Sequence, residues 1–368
     1  MRLKIWLVAA TAAVLTAGGS ATTTALASAG HHASGQAVGA SQRGDRDHGL
    51  FRVYAPYFET WTQDSISVLA KRSGAKFQTL AFIQSAGKKG AAACTITWDG
   101  VKKQPISAGR YVRQIAELRR HGGDVIPSFG GFSADNGGTE IADSCHSVAK
   151  IARAYEEVVK VYHVRRLDMD VEAKSLTNKA GIARRSAAIA MAQHWAWRHH
   201  IRLSVQFTIG IEPNGLDQHN LGVVRSAVAH GVWVSGVNLM VFDYYLAKEP
   251  KPLHMGHLAI EAVTNAHRQL RAVFSKLSSQ QVWRLEGMTM LPGIDDYPKK
   301  TEVTYLHDAA AMMRFAQAQH MNFLSIWALQ RDHGGCPGVI DSNSCSGIRQ
   351  NSWAFSHLLE PFTKAFRR

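Results

Sequence analysis

The chain has 368 residues, 46% of them hydrophobic and 19% charged, which is enough apolar material for a substantial core and excludes disorder, collagen and coiled coil. Its formal net charge is +14, from 42 Lys and Arg against 28 Asp and Glu, with 18 His in addition. The basic residues are scattered rather than gathered with aromatics into a stripe, so nucleic acid is not an expected partner.

The first element is a targeting segment. Arg2 and Lys4 precede the apolar run 5–17, and small residues follow with cleavage expected after Ala27 or Ala29. The run is shorter than the ~20 residues that span a bilayer, and no later stretch reaches that length without charges. The expectation is therefore a secreted, soluble protein with no membrane association. Residues 1–27 read as signal peptide and 28–48, rich in Ala, Gly, Ser and His, as a flexible leader. One folded domain is expected over 49–368, acting as a monomer.

Export makes the four cysteines a disulfide question with three possible pairings. Cys336 and Cys345 flank a turn-rich segment that can close on itself, which leaves Cys94 for Cys145. Zinc is not expected, because no CxxC is present and the HxxH at His254 and His257 stands alone. No other metal and no cofactor is expected.

From Phe51 onward, short β-branched or aromatic runs alternate with amphipathic segments. The patterning predicts strands at 52–57, 78–83, 124–129, 166–172, 202–209, 236–242, 287–293 and 323–328. Helical spacing recurs at 111–120, 148–162, 179–197, 258–276 and 305–318, and a last helix is predicted over 353–366. Eight strands, each followed by helical sequence, predict an α/β chain folded as a single (β/α)8 TIM barrel. An open doubly wound sheet is the alternative, weakened by the absence of GxGxxG after the first strand.

The run Arg166-Leu167-Asp168-Met169-Asp170-Val171-Glu172 carries the chemistry. Side chains alternate along a strand, so Asp168, Asp170 and Glu172 share one face and Leu167, Met169 and Val171 the other. The apolar face belongs against the helices, which turns three carboxylates into the barrel. Confined like charges cannot all stay ionised, so at least one pKa must rise and place a proton donor beside an anion. Glu172, nearest the C-terminal end of the strand where barrel sites open, is the expected general acid.

These residues resemble the last three acidic positions of the DxxDxDxE signature of family 18 glycoside hydrolases, the chitinases and their relatives; the signature's first Asp falls on Arg165. Ser128-Phe129-Gly130-Gly131 is similar to the family's SxGG, Met240-Val241-Phe242-Asp243 to its MxYD, and Ser325-Ile326-Trp327 to the strand that places a tryptophan under the sugar. The strings RLDMDVEA, FDYY and WALQRD are similar to those of secreted bacterial chitinases. The resemblance spans the chain from Phe51 to its end. It implies a retaining, substrate-assisted hydrolysis of β-1,4-linked N-acetylglucosamine polymers, an exception to the usual two-carboxylate scheme. Glu172 would be acid and then base, Asp170 would hold the acetamide N–H, and Asp168 would share a proton with Asp170.

The family's MxYD tyrosine, an acetamide hydrogen-bond donor, is Phe242 here, and phenylalanine has no proton to give. Tyr244 or Gln206 is the expected replacement. Asp243, Met240, Trp327, Tyr57 and Trp98 complete the expected substrate contacts, with Trp61, Phe132, Tyr245 and Tyr297 as further cleft aromatics. Two other readings stay open: an endo-β-N-acetylglucosaminidase acting on N-glycans, and a non-catalytic chitin- or glycan-binding protein on the same barrel.

Overall fold

A computed structural model of the chain describes residues 52–246, 253–296, 301–340 and 342–363; the targeting segment, the leader and Tyr297 lie outside them. All described residues fall in the compact unit His48–Arg368.

Strand β1 comes in two pieces, Val53–Tyr54 and Tyr57–Glu59, separated by Ala55 and Pro56. Seven more strands follow: β2 (Phe77–Ser85), β3 (Asp124–Gly130), β4 (Arg166–Asp170), β5 (Ser204–Gly210), β6 (Val234–Met240), β7 (Glu286–Met290) and β8 (Phe323–Ile326). Each pairs in parallel with its sequence neighbours. The first piece of β1 pairs with β8 (Val53↔Phe323) and the second with β2 (Tyr57↔Thr79), so the sheet closes into an eight-stranded barrel. The predicted strand 166–172 is shorter than expected: β4 ends at Asp170, although the Val171 N–H still donates to the Thr208 carbonyl at 2.9 Å.

The connecting helices are α1 (Ile66–Ser73), α2 (Val112–Arg120), α3 (Val148–Tyr162), α4 (Lys179–Arg198), α5 (Gln218–Ala229), α6 (Met255–Val273), α7 (Leu306–Ala318) and α8 (Ala354–Leu359). Helix α3 shows why they form. The Ser147 side chain caps its first turn, and Ile151, Tyr155, Val158 and Tyr162 bury one stripe at helical spacing. Each fully buried side chain of this size contributes about 1.5–3 kcal/mol. Where 353–366 was expected to be one helix, α8 is a short helix followed by a 3-10 turn, Glu360–Phe362, with Pro361 at its start.

Alternation along the strands sorts the barrel into two layers. Leu167, Met169, Val171, Val205, Phe207, Val237, Leu239, Met288 and Leu324 pack outward in the main core. The inward residues are polar: Asp168, Asp170, Gln206, Thr208, Asn238, Thr289 and Ser325, all buried. An apolar plug of Val53, Ala55, Ile126 and Phe323 lies beneath them. At the N-terminal end of β7, His267 lies flat on Trp283 (3.8 Å between ring centroids) and bridges Glu286 and Ser279 by two 2.8 Å hydrogen bonds, tying α6 to the barrel.

Both disulfides pair as the spacing indicates, Cys94 with Cys145 and Cys336 with Cys345, with Cα separations of 4.8 and 6.1 Å. Among the described residues no helix is long and apolar enough to cross a membrane.

Candidate active site

The site is built from the inward face of β4 upward. Asp168 is fully buried, and four donors reach it: Tyr57 Oη (3.0 Å) and Ser128 Oγ (2.6 Å) to Oδ2, Gln206 Nε2 (3.0 Å) and Thr208 Oγ1 (2.7 Å) to Oδ1. These come from β1, β3 and β5, because parallel register sets Ser128 and Gln206 directly beside Asp168. Burial pushes the Asp168 carboxyl up, and the four hydrogen bonds oppose that push. Arg166, one inward position below, adds a compensating positive charge.

Asp170 is differently placed. Its Oδ1 has no hydrogen-bond partner among the described residues. Burial, then the charges of Glu172 and Asp168, drive its carboxyl well above the usual carboxylate range. With Asp168 held as the anion by four donors, the proton of the pair rests on Asp170.

Glu172 stands just past the strand, partly buried and still extended (φ −130°, ψ 172°). Desolvation raises it to about 7; the Phe132 backbone N–H opposes the rise, and the charges of Asp135 and Asp296 add to it. A carboxyl titrating there is a competent proton donor at neutral pH. The glycines of Ser128-Phe129-Gly130-Gly131 make this approach possible. A Cβ on Gly130 (φ +103°) would stand 2.1 Å from the Asp170 carbonyl oxygen, and one on Gly131 (φ +77°) 2.4 Å from the Phe82 ring.

Aromatic rings line the space above the carboxylates. Trp327, partly exposed at the end of β8, stacks on Phe82 (5.5 Å, 17°) and meets Tyr57 nearly edge-on (5.5 Å, 62°). Trp61, 40% exposed, sits 6.1 Å from Trp327. Phe132 and Tyr245 are also exposed large rings. Flat apolar faces of this kind suit the hydrophobic side of a pyranose. Phe82, absent from the sequence expectations, lies on a strand and carries no signal beyond its neighbours.

Past β6, Asp243 adopts φ +57°, and its N–H donates to Asp295 Oδ2 at 3.1 Å. The carboxylates of Asp243, Asp295 and Asp296 come within 4.8 Å of one another. Burial, then the hydrogen bond and charge of Asp295, push Asp243 up to about 11, so it is the protonated member of the group. Two consecutive aspartates following a predicted strand were the available signal for Asp295 and Asp296. Met240, at the end of β6, is partly exposed.

Four of the expected substrate contacts are buried. Trp98 is fully buried, donates its indole N–H to Tyr162 Oη (2.9 Å) and packs against Tyr111 at 5.1 Å, so it belongs to the core. Tyr57 and Gln206, each 1% exposed, direct their polar atoms to Asp168 and hold it from beneath. Tyr244 is 3% exposed in the main core, and its charged neighbours are Glu302, Glu212 and Asp295. The next residue, Tyr245, is 61% exposed; burial of its base raises its hydroxyl to about 12, and the charges of Asp243, Asp296, Asp295 and Glu172 reach it. Of the two, Tyr245 is the exposed tyrosine, and Glu172 is among its charged neighbours.

Known proteins share this fold. The catalytic domain of a hyperthermophilic chitinase from Pyrococcus furiosus superposes with a TM-score of 0.72 at 28% identity, covering 84% of this chain and 94% of that one. The chain belongs to family 18 of the glycoside hydrolases. It is 33% identical over 324 residues, 85% of its length, to the Escherichia coli protein named "Probable bifunctional chitinase/lysozyme". It is 31% identical over 289 residues, 76% of its length, to Endochitinase 11 of Metarhizium anisopliae. It spans 34% and 52% of the lengths of those two proteins. No family model matches the chain.

Proposed function

We propose that the chain is a secreted chitinase that hydrolyses β-1,4 bonds between N-acetylglucosamine units. The observation that carries this reading is the placement of Glu172, a half-buried carboxyl that desolvation raises to about 7, just past Asp170 on the strand whose Asp168 is held by Tyr57, the neighbour of Trp327. Glu172 gives its proton to the glycosidic oxygen as the bond to C1 breaks. The acetamide carbonyl oxygen of the same sugar attacks C1 and forms an oxazolinium ion, whose positive charge the Asp168–Asp170 pair stabilises. Glu172, now a carboxylate, takes a proton from water as that water opens the ion, so configuration at C1 is retained. Tyr245 supplies the hydrogen bond to the acetamide oxygen that Phe242 lacks, and Trp327 carries the apolar face of the ring.

The chitinase names of both curated relatives support the substrate class. The targeting segment and the two disulfides support action outside the cell. The test compares chitotetraose with its fully N-deacetylated counterpart. Cleavage of the first alone is expected, because only it carries the internal nucleophile. Equal cleavage of both would sink the substrate-assisted route.

A further inference from the structure

A groove of about 530 Å³ lies apart from the catalytic residues, between the segment after β2 and the first turn of α3. Lys88, Lys89, His146 and Lys150 line it, all exposed, and none of its nine lining residues is acidic. The Cys94–Cys145 disulfide clamps one wall to the other. The N-terminus of the 15-residue helix α3, capped by Ser147, adds partial positive charge. The neighbouring carboxylates are turned away. Glu140 pairs with buried Arg185 at 2.9 Å, while Asp143 accepts hydrogen bonds from Ser175 and, at 2.8 Å, from Asn178. Among the described residues, none of the three lysines makes an ion pair. Three uncompensated ammonium groups around one fixed concavity are a binding feature for anions.

We propose that this groove is a second glycan-binding site that takes sugar chains bearing carboxylate or phosphate groups. Chitin is neutral, so the proposed hydrolysis gives these charges no role. Both walls leave the C-terminal ends of β2 and β3, the end of the barrel at which Glu172 stands, so a polysaccharide is the partner the location fits. The lining holds no Phe, Tyr or Trp ring to build a base-stacking platform and no large apolar side chain to enter a bilayer.

The test measures binding rather than hydrolysis, so its failure is separate from failure of the proposed activity. The full chain carrying Glu172→Gln, which keeps the polymers intact, is titrated with neutral glycol chitin, carboxymethyl chitin and phosphorylated chitin, with and without Lys88→Ala/Lys89→Ala/Lys150→Ala. The triple change should weaken at least one anionic polymer by about fivefold or more at low salt and leave glycol chitin unchanged. It should also flatten the salt dependence of anionic binding. Which anionic polymer responds names the anion. An unchanged melting temperature and unchanged turnover of chitotetraose in the otherwise wild-type chain would show that the fold and the cleft are intact. If the triple variant binds both anionic polymers as tightly as its parent, or loses neutral and anionic polymers alike, the groove is not an anionic-glycan site.

Discussion

Asp168 and Asp170 stand two residues apart on one inward strand face, yet four donors reach Asp168 while Oδ1 of Asp170 has no partner among the described residues. The asymmetry assigns the charge to one and the proton to the other. Asp168→Asn turns an acceptor-only group into one that also donates, against neighbours that already donate. Stability should fall by about 1–3 kcal/mol. Turnover should fall by roughly 10²-fold, because Asp170 loses the anion that holds its proton. Chemical denaturation and kcat on a chito-oligosaccharide check both; wild-type kcat would show that Asp170 needs no such neighbour.

The pH profile follows from Glu172. Its carboxyl, raised to about 7, must carry the proton when substrate arrives, so kcat/KM should fall as pH rises through about 7. An alkaline limb near ~4.5, the ordinary glutamate range, would mean that the cleft does not desolvate this group.

Tyr245 and Tyr244 make opposite predictions. Tyr245→Phe should cost about 10²–10³-fold in kcat, the cost of removing one donor to a developing charge. Tyr244→Phe, which alters only a buried hydroxyl without a hydrogen-bond partner among the described residues, should leave kcat within about twofold. The reverse ranking would return the role to Tyr244.

Glu59, at the end of β1, is fully buried with neither carboxylate oxygen hydrogen-bonded among the described residues. Desolvation raises it to about 8, and Arg331 only partly offsets this. The folded state therefore binds the proton more tightly than the unfolded one, and stability drains away as pH rises from ~4.5 to about 8. Glu59→Gln should raise the melting temperature at pH 8 and change it little at pH 5, by a free energy of about 1–3 kcal/mol at the higher pH. An equal effect at both values would show that Glu59 is not protonated in the fold.

Much of this was legible in the chain because two periodicities agree. Along 167–172 the apolar and acidic residues alternate without a break, so the layer each occupies is fixed before any contact is known. Helices α1 and α5 are absent from the sequence reading for local reasons: α1 is eight residues long, and α5 opens on the polar Gln218-His219-Asn220. Depth was not legible. Tyr57 and Gln206 are on the inward face, as their register requires, but alternation does not say that they lie beneath the carboxylates rather than beside the substrate. Trp98 finds its partners at Tyr111 and Tyr162, the latter 64 positions away, which no local pattern encodes. The Tyr244 expectation counts along β6 as though it continued, whereas the strand ends at Met240 and positive φ at Asp243 (57°) and Tyr245 (58°) breaks the alternation, leaving Tyr244 buried and Tyr245 exposed.

The most direct measurement sets the wild-type chain beside Glu172→Gln on chitotetraose and colloidal chitin and follows the products by mass. Cleavage by the wild type and none by the variant, with melting temperatures unchanged, is the predicted result. Release of the same oligosaccharides by the variant would take the acid away from Glu172, and retained binding with no cleavage by either protein would make this barrel a glycan receptor rather than an enzyme.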